Sequence, residues 1–337
     1  MVNETAFQAW SGHFGKQADL ERTDLTGRTV LVVGASTGIG LETARHFATM
    51  SPARLILACR SEARGTKAIQ SIKETTGYQA ELWLVELSDF SSVKAFADRL
   101  DNELDDLDIL VANAAIGIFN WVTTEDGWET SLQVNYLSLA LICLRALPKM
   151  LKTAEKRERA PRIVFVSSGV HQDAKIPDSW LDAPSVLDAI NGNTSADGMT
   201  RYPLSKYLDL LFVIALAERL PAKKPTVIIN SVNPGLCVSE LRREVTGAFY
   251  VVSKIMEWIC GRTSEVGSRQ LLWCALARPW DEEKLQGAYV SDVRTLEPGD
   301  NVISEKGKKF RELLWHDTIK NLSKVDGKIQ PIATQYL

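Results

Sequence analysis

The order of apolar runs and amphipathic segments predicts an α/β fold, with a doubly wound parallel sheet in a single domain spanning residues 25–325. Short, strand-like apolar runs alternate with amphipathic segments of helical length along this range. Such alternation implies parallel strands joined by right-handed crossover helices. The strand-like runs are apolar at successive positions, which indicates that helices cover both faces of the sheet.

The first half of the chain contains four strand-like runs separated by helical segments. Thr29–Val33 is apolar and β-branched and leads into a glycine-rich turn, and Arg54–Cys59 repeats the pattern. Charged and apolar residues at helical spacing follow each run. The predicted elements are strand Thr29–Val33, helix Leu41–Met50, strand Arg54–Cys59, helix Glu62–Thr75, strand Glu81–Val85, helix Ser91–Leu104 and strand Asp108–Ala112.

The second half continues the alternation but contains two long interruptions. Residues 170–201 are rich in Asp, Pro, Asn, Gly and Ser, with one short helix predicted near Ser185–Ile190, and residues 236–260 follow an Asn-Pro-Gly turn. Loops of this length are more often functional than idle. Residues 1–24 are predicted to be an N-terminal extension and residues 326–337 a C-terminal tail. The regular elements predicted here are helix Trp128–Leu151, strand Arg162–Ser167, helix Pro203–Arg219 and strand Thr226–Val232.

Composition and charge argue against several classes of protein. The 337 residues have a formal net charge of -3 and no basic block, so nothing indicates a nucleic-acid partner or an anionic membrane surface. The five cysteines lack CxxC spacing, which argues against a metal site or a disulfide frame and favours a reducing, cytoplasmic compartment. The longest apolar stretches, such as Leu137–Leu147, are shorter than the ~20 residues of a membrane span.

A phosphate-binding turn is predicted where the first strand meets the first helix. The segment Gly34–Gly40 reads GASTGIG, a GxxxGxG spacing. Glycines let the backbone turn sharply and approach a pyrophosphate, and the N–H groups at the start of the helix attract its negative charge. The position between a strand and a helix makes this pattern more specific than three glycines alone.

The same turn also matches the GxSxG pattern around the nucleophile of serine hydrolases. Ser36 would then be the nucleophile, and the histidines that follow it are His46, His171 and His316. A nucleophile of this kind normally follows several strands, whereas this turn follows the first. The order of elements therefore favours a phosphate site, with Ser36 capping the turn or contacting a phosphate, over a hydrolase.

The residue after the second predicted strand indicates which dinucleotide is used. Arg60 stands where an NAD-dependent protein usually places an acidic residue against the adenosine ribose. A guanidinium group would instead pair with the 2′-phosphate of NADP. Arg60 therefore favours NADP(H) over NAD, and the alternative is that it only solvates the end of a strand.

Six motifs in this order resemble the short-chain dehydrogenase/reductase family over residues 25–325. The segment before Tyr202 and residues 287–292 are most similar to the retinol-dehydrogenase-like branch, especially to fungal reductases of secondary-metabolite biosynthesis. The resemblance implies a Rossmann fold and hydride transfer between NADP(H) and a ketone or alcohol. The motifs are Gly34–Gly40, Asn113-Ala114-Ala115, Asn135, Ser167-Ser168, Tyr202-Pro203-Leu204-Ser205-Lys206 and Asn233-Pro234-Gly235.

The chemistry of carbonyl reduction explains the residue types in these motifs. The alkoxide that forms must receive a proton, and a phenol supplies it only when its pKa, ordinarily ~10, is brought towards neutrality. Lys206 lies four residues after Tyr202, on the same face of a helix, and its positive charge would stabilise the phenolate. The resemblance implies that Lys206 also holds the nicotinamide ribose.

Two further side chains are assigned roles by the resemblance. Ser168 would donate a hydrogen bond to the substrate oxygen, and it is chosen over Ser167 from the family pattern because neighbouring strand side chains cannot both face a cleft. Asn135 matches the family asparagine that holds a water in the proton relay. No metal is expected. The implied cofactor-binding set is Gly34, Ser36, Thr37, Gly38, Ile39, Gly40, Arg60, Glu86, Leu87, Asn113, Ala114, Ala115, Tyr202, Lys206, Pro234, Gly235 and Ser239.

Three positions depart from the family pattern. Ala115 replaces the final glycine of Asn-Asn-Ala-Gly, so the local turn must accept a β-carbon. Glu86 replaces the aspartate that touches the adenine in many members. Ser239 replaces a threonine and keeps the hydroxyl that would bind the nicotinamide carboxamide.

The resemblance places the substrate over the nicotinamide, beneath the loops 170–201 and 236–260. An apolar roof on these loops would suit a bulky hydrophobic ketone or alcohol, as in a biosynthetic ketoreductase. The alternative is an amphipathic helix that packs on its own domain. The predicted roof residues are Trp180, Leu181, Val245, Phe249, Tyr250 and Met256.

A second class of function is a dinucleotide-binding sensor or scaffold of the same fold. Such proteins have lost the catalytic tyrosine or lysine, whereas this sequence keeps both Tyr202 and Lys206. Family members often pair through the helices that carry Asn135 and Tyr202. The apolar run Leu137–Leu147 is compatible with a homodimer of this kind.

Overall fold

An eight-stranded β-sheet lies at the centre of the structure, a computed structural model that describes residues 20–118, 120–194, 198–220, 226–238, 241, 261–276 and 282–337. The strand order is β3-β2-β1-β4-β5-β6-β7-β8, and all neighbours are parallel except the antiparallel pair β7 and β8. The predicted doubly wound α/β fold is therefore confirmed. The strands are β1 (Thr29–Val33), β2 (Arg54–Cys59), β3 (Glu81–Leu84), β4 (Ile109–Ala112), β5 (Arg162–Val166), β6 (Ile228–Asn233), β7 (Tyr289–Ser291) and β8 (Arg294–Leu296).

Helices cover both faces of the sheet, as the apolar strand runs predict. Helices α1, α2 and α8 pack on one face, and α3, α4, α7 and α11 pack on the other. A π-helix, Leu132–Leu137, leads into α4, and a 3₁₀-helix, Gly169–Asp173, follows β5. The α-helices are α1 (Gly38–Ala48), α2 (Glu62–Thr76), α3 (Phe90–Glu103), α4 (Ser138–Arg157), α5 (Asp178–Leu181), α6 (Val186–Asn191), α7 (Gly198–Arg219), α8 (Ser264–Leu276), α9 (Glu282–Leu285), α10 (Asp300–Ile303), α11 (Glu305–Val325) and α12 (Ile329–Tyr336).

The topology brings the predicted site residues to one edge of the sheet. Strand β1 pairs with β2 on one side and with β4 on the other, so the direction of winding reverses beside β1. Ligands of doubly wound sheets bind at the carboxyl ends of the strands at this switch point. Gly34, Arg60, Asn113, Ser167 and Pro234 directly follow β1, β2, β4, β5 and β6.

The loop 170–201 is more ordered than the sequence predicts. Besides α6, which overlaps the predicted short helix, it contains α5 and the start of α7. Asp317 on α11 accepts hydrogen bonds from the Ser185 hydroxyl (2.6 Å) and the Leu187 backbone N–H (3.0 Å), and so caps α6 from a distant part of the chain. Helix α7 begins before Pro203, so Tyr202 lies inside the helix and shares a face with Lys206.

The predicted C-terminal tail, residues 326–337, forms part of the domain. Asp326 makes a buried ion pair with Arg145 on α4, and Ile329 is fully buried against the core. Helix α12 packs on α4, and every residue of the run Leu137–Leu147 is buried within the domain. Residues 1–19 of the predicted N-terminal extension lie outside the described residues.

One helical stretch among the described residues, Leu132–Arg157, is long and apolar enough to cross a membrane. Its most apolar window is 83% buried inside the domain. This stretch comprises the π-helix and α4, the helix beneath α12, and its apolar residues pack in the core.

Candidate active site

A cleft of about 710 Å³ runs along the carboxyl ends of the strands, from the glycine turn to Tyr202. It collects most of the side chains that the sequence predicts for the site. Gly40 and Asn135 do not line it, and Ser239 lies outside the described residues. The predicted residues that line the cleft are Gly34, Ser36, Thr37, Gly38, Ile39, Arg60, Glu86, Leu87, Asn113, Ala114, Ala115, Ser168, Tyr202, Lys206, Pro234 and Gly235.

The glycine turn is held tightly against the end of β4. Gly34 has a φ of +85°, and a β-carbon there would lie 2.6 Å from the Ala114 Cα. The Asn113 side chain donates a hydrogen bond to the Gly34 carbonyl oxygen at 2.8 Å. A β-carbon at Gly40 would overlap this same carbonyl and lie 2.5 Å from Asn113 Nδ2. Gly40 is therefore required beneath the turn, which explains why it does not face the cleft.

The start of α1 offers backbone donors to the cleft. Gly38 begins the helix with a φ of +63°, and the side chain of Thr37, the N-cap residue, makes no capping hydrogen bond. The first turn contains no acidic residue that would compete for the N–H groups. Unpaired N–H groups at the start of an 11-residue helix suit a pyrophosphate.

Two arginines lie at the end of the cleft beyond the glycine turn. Arg60 is half exposed, and its Nε lies 3.6 Å from Glu86 Oε2. Arg64, on the first turn of α2, also lines the cleft and was missed from the sequence, because Arg60 lies outside α2 and helical spacing does not relate the two residues. Glu86 also accepts hydrogen bonds from the backbone N–H and the hydroxyl of Ser88. The glutamate is therefore held beside Arg60.

Tyr202 and Lys206 lie together on α7 at the other end of the cleft. The Lys206 Nζ is 5.9 Å from the centroid of the Tyr202 ring. The lysine is only 1% exposed, and its ammonium group donates to the Val166 carbonyl oxygen (2.8 Å) and to Asp209 Oδ2 (2.9 Å). Burial acts to lower the pKa of Lys206, but the charge of Asp209, the charge of Tyr202 and the hydrogen bond to Asp209 together outweigh burial, and the pKa is raised.

The two serines after β5 have different surroundings. Ser167 is buried, and its hydroxyl donates to the backbone carbonyl oxygen of Lys206 at 2.9 Å. Ser168 is partly exposed in the cleft, where its Oγ accepts a long hydrogen bond (3.4 Å) from the Val170 N–H. That contact leaves the Ser168 hydroxyl hydrogen for another acceptor. The arrangement favours Ser168 as the donor to a substrate.

Asn135 is fully buried and links two elements of the site. Its Oδ1 accepts from the Ile116 N–H (2.8 Å), and its Nδ2 donates to the Ile116 carbonyl oxygen (3.0 Å) and the Ser205 hydroxyl (3.0 Å). Ser205 in turn donates to the backbone carbonyl oxygen of Tyr202. The Asn135 amide therefore positions the loop after β4 against α7, and its predicted role in holding a water stays a prediction.

The described histidines are not arranged to activate Ser36. His46 Nε2 lies 3.1 Å from Glu265, and both ring nitrogens of His171 are engaged, by the Ser168 carbonyl oxygen and the Gly299 N–H. His316 is exposed on α11. Within the described residues, Ser36 therefore lacks the base that a serine hydrolase requires.

The roof predicted over the substrate differs from the observed cleft. Trp180 packs in the core beside Phe310 of α11, and Leu181 packs against the same core, because α5 and α6 dock on α11. Neither residue lines the cleft, and the other predicted roof residues lie outside the described residues. The apolar side chains that line the cleft near Tyr202 include Ile116, Ile118, Val170, Leu236 and Leu241.

The described residues contain no group of three or more His, Cys, Asp or Glu side chains that could hold a metal ion. The cleft brings together Tyr202, Lys206, Ser168 and the backbone donors of the glycine turn.

Comparison with known proteins gives a consistent result. Residues 28–177 match the family model for short chain dehydrogenases. The chain is 34% identical over 306 residues to the short chain dehydrogenase/reductase dmxR8 of Cryptosporiopsis sp., covering 89% of this chain and 92% of that protein. It is 39% identical over 268 residues to the short chain dehydrogenase atnD of Emericella nidulans, covering 78% and 83%.

Solved structures share the fold at lower identity. An uncharacterized protein from Mycobacterium paratuberculosis has a TM-score of 0.65 and 23% identity, covering 91% of this chain and 96% of that one. A short chain dehydrogenase from Shigella flexneri, crystallised with NADP, has a TM-score of 0.59 and 21% identity, covering 81% and 100%. With the glycine turn, Tyr202 and Lys206 in one cleft, these relationships show that the chain belongs to the short-chain dehydrogenase/reductase family.

Proposed function

We propose that the protein is an NADP(H)-dependent ketoreductase that acts on a bulky hydrophobic ketone. The observation that carries the proposal is that one cleft holds the glycine turn, Arg60 and the pair Tyr202 and Lys206. A dinucleotide with its pyrophosphate at α1 would extend from the arginines to the tyrosine. The resemblance to fungal biosynthetic reductases supports a role in biosynthesis.

The residues of the cleft fit NADPH. The open start of α1 would hold the pyrophosphate, and Arg60 with Arg64 would hold the 2′-phosphate. A phosphate between these arginines would meet Glu86, which is already paired with Arg60, so binding would have to displace that partly exposed contact. NADP in the related Shigella flexneri crystal structure supports the same choice of cofactor.

The chain's own groups supply the proton and orient the substrate. Bound NADPH supplies the hydride that reduces the carbonyl carbon. The Tyr202 hydroxyl donates its proton to the carbonyl oxygen, and the charge of Lys206 stabilises the phenolate that remains. Ser168 donates a hydrogen bond to the same oxygen, which orients the carbonyl and stabilises the charge that develops there. The apolar lining of the cleft favours a hydrophobic substrate.

The proposal is tested by following NADPH oxidation against a panel of hydrophobic ketones and aldehydes, with NADH in parallel. We expect turnover with at least one bulky ketone and a preference for NADPH that Arg60→Ala reduces by about tenfold or more, since charge-assisted hydrogen bonds contribute about 1.5–3 kcal/mol. A preference for NADH, retained in Arg60→Ala, would contradict the cofactor assignment. Absence of turnover across the panel would contradict the proposed substrate class.

A cytoplasmic location belongs to the same proposal. The four described cysteines, Cys59, Cys143, Cys237 and Cys274, are all free and buried. Burial raises the pKa of each thiol, which keeps it protonated and unreactive. This state supports a reducing compartment, and microscopy of a fluorescent fusion in the source cells tests it.

A further inference from the structure

A buried carboxylate beside Lys206 has no place in the mechanism described so far. Asp209 lies one turn after Lys206 on α7 and is fully buried. Its Oδ2 is 2.9 Å from the Lys206 Nζ, and its Oδ1 has no hydrogen-bond partner within the part of the chain that the structure describes. Burying a carboxylate is costly unless its oxygens are well paired, so an ion of this kind requires an explanation.

Other buried carboxylates of the described residues have evident structural roles. Asp108 accepts from the Thr29 N–H (2.9 Å), Glu129 from the Ser131 N–H (3.0 Å), and Asp317 caps α6. Each of them satisfies a backbone group that would otherwise be buried without a partner. Among the described residues, Asp209 accepts a hydrogen bond only from Lys206. Its role is therefore tied to the lysine and not to the backbone.

The surroundings of Lys206 show what the carboxylate supplies. An ammonium group that is 1% exposed tends to lose its proton, because burial disfavours the charged form. Two of its three N–H groups are occupied by Val166 and Asp209, which leaves one for the cleft. A neutral amine at this position would not stabilise a phenolate, and it would not keep the hydrogen bonds of the ammonium group to both Val166 and Asp209.

We propose that Asp209 is a positioning residue for the reaction, the buried counter-ion that keeps Lys206 protonated and fixes its ammonium group 5.9 Å from the Tyr202 ring. The proposal rests on the proposed function, because the proton transfer it serves is the one assigned to Tyr202. Asp209 touches neither the cleft nor a substrate, since it does not line the cavity. It acts through Lys206.

The other titratable groups near Asp209 cannot replace it. Tyr136 on the π-helix and Cys143 on α4 face the carboxylate, and burial raises the pKa of both so that they stay neutral. Lys206 faces it from α7, and the charge of Tyr202 acts on Lys206 in the same direction as that of Asp209. Burial also raises the pKa of Asp209, to about 7, against the attraction of Lys206. Above that pH the Asp209 carboxylate is charged, and in this pH range Lys206 needs the negative charge to stay protonated.

The direct test is an NMR titration of the apoprotein labelled with ¹³C at the lysine Cε, with the Lys206 signal assigned from its absence in Lys206→Met. In the wild type we expect the Lys206 midpoint at or above the ordinary value of about 10.4. In Asp209→Asn we expect it to fall by more than about two pH units, to about 8 or below, because the cost of burying the charge is then no longer offset. An unchanged midpoint would overturn the proposal, as would a wild-type midpoint below about 9.

Activity gives a second measurement. We expect Asp209→Asn to lower kcat/KM for ketone reduction by about tenfold or more at pH 9 and by less than about threefold at pH 6.5, where Lys206 is protonated without help. Asp209→Glu keeps the carboxylate and should restore kcat/KM for ketone reduction at pH 9. Equal losses at both pH values would show a merely structural role and overturn the proposal.

The matched control is Asp108→Asn, which removes a buried carboxylate at the opposite end of the sheet, beside Arg157. We expect it to lower the melting temperature and to leave the Lys206 midpoint unchanged. An equal shift in this control would show a global effect and overturn the proposal. If none of the tested ketones supports NADPH oxidation by the wild type, the proposed function fails. The NMR titration still decides whether Asp209 keeps Lys206 charged.

Discussion

Gly40→Ala tests whether the glycine turn is built as described. The new β-carbon would overlap the Gly34 carbonyl oxygen and lie 2.5 Å from Asn113 Nδ2, so the turn or the asparagine must move. Overpacking of this kind costs about 1–3 kcal/mol, and loss of the hydrogen bond from Asn113 to Gly34 adds about 0.5–1.5 kcal/mol. Alanine is preferred to glycine within a helix by about 1 kcal/mol. The net expectation is a loss of about 1–3 kcal/mol in the free energy of unfolding.

Urea denaturation measures this loss, and titration of tryptophan fluorescence with NADPH measures affinity. Because Gly40 supports the turn that would receive the pyrophosphate, we expect the dissociation constant for NADPH to rise by about tenfold or more. Gly327→Ala is the matched control, since a β-carbon there meets nothing within 4 Å. The reasoning is refuted if Gly40→Ala and Gly327→Ala have the same stability and bind NADPH equally well.

Three further predictions concern other parts of the fold. Burial lowers the pKa of His171, so as the pH falls the imidazole is protonated in the unfolded chain before it is protonated in the folded protein, and the free energy of unfolding should decrease below about pH 6.5. In thermal melts, His171→Gln should make this decrease less steep, and an equally steep decrease would contradict the lowered pKa. Val293 has a φ of +59° in the β7–β8 turn, a conformation that glycine adopts more readily than valine. Val293→Gly should therefore add about 0.5–1 kcal/mol to the free energy of unfolding measured in urea, and a decrease would show that the turn is unstrained. Because every residue of Leu137–Leu147 is already buried within one chain and α12 packs on α4, light scattering should find a monomer, and a stable dimer that buries α4 would contradict this packing.

The parts of the fold that local signals specify were predicted well. Strand β1 is an apolar run rich in β-branched residues, β2 is a second apolar run, and both have the predicted bounds, Thr29–Val33 and Arg54–Cys59. The glycine turn was predictable because its spacing reflects backbone conformation, such as the positive φ of Gly34 and Gly38. These features depend on residues that are close in sequence.

Features that depend on distant residues could not be predicted. Helix α6 is capped by Asp317, which lies 130 residues from Leu187, and the C-terminal helices α11 and α12 pack on α7 and α4, which are also distant in the sequence. The same reason hid Asp209. An aspartate three residues after a lysine is ordinary on a helix surface, and only burial against β5 and α4 gives the pair its significance. Asn135 was placed correctly in the chain, but its three hydrogen bonds to Ile116 and Ser205 required the folded structure.

Comparison of Tyr202→Phe with the wild type examines the catalytic proposal most directly, because the substitution removes one hydroxyl and leaves Lys206 in place. With a ketone that the wild type reduces, we expect turnover to fall by a factor of about 10²–10⁴ while the dissociation constant for NADPH stays within about threefold. Turnover equal to that of the wild type would show that the proton comes from another group and would contradict the role of Tyr202.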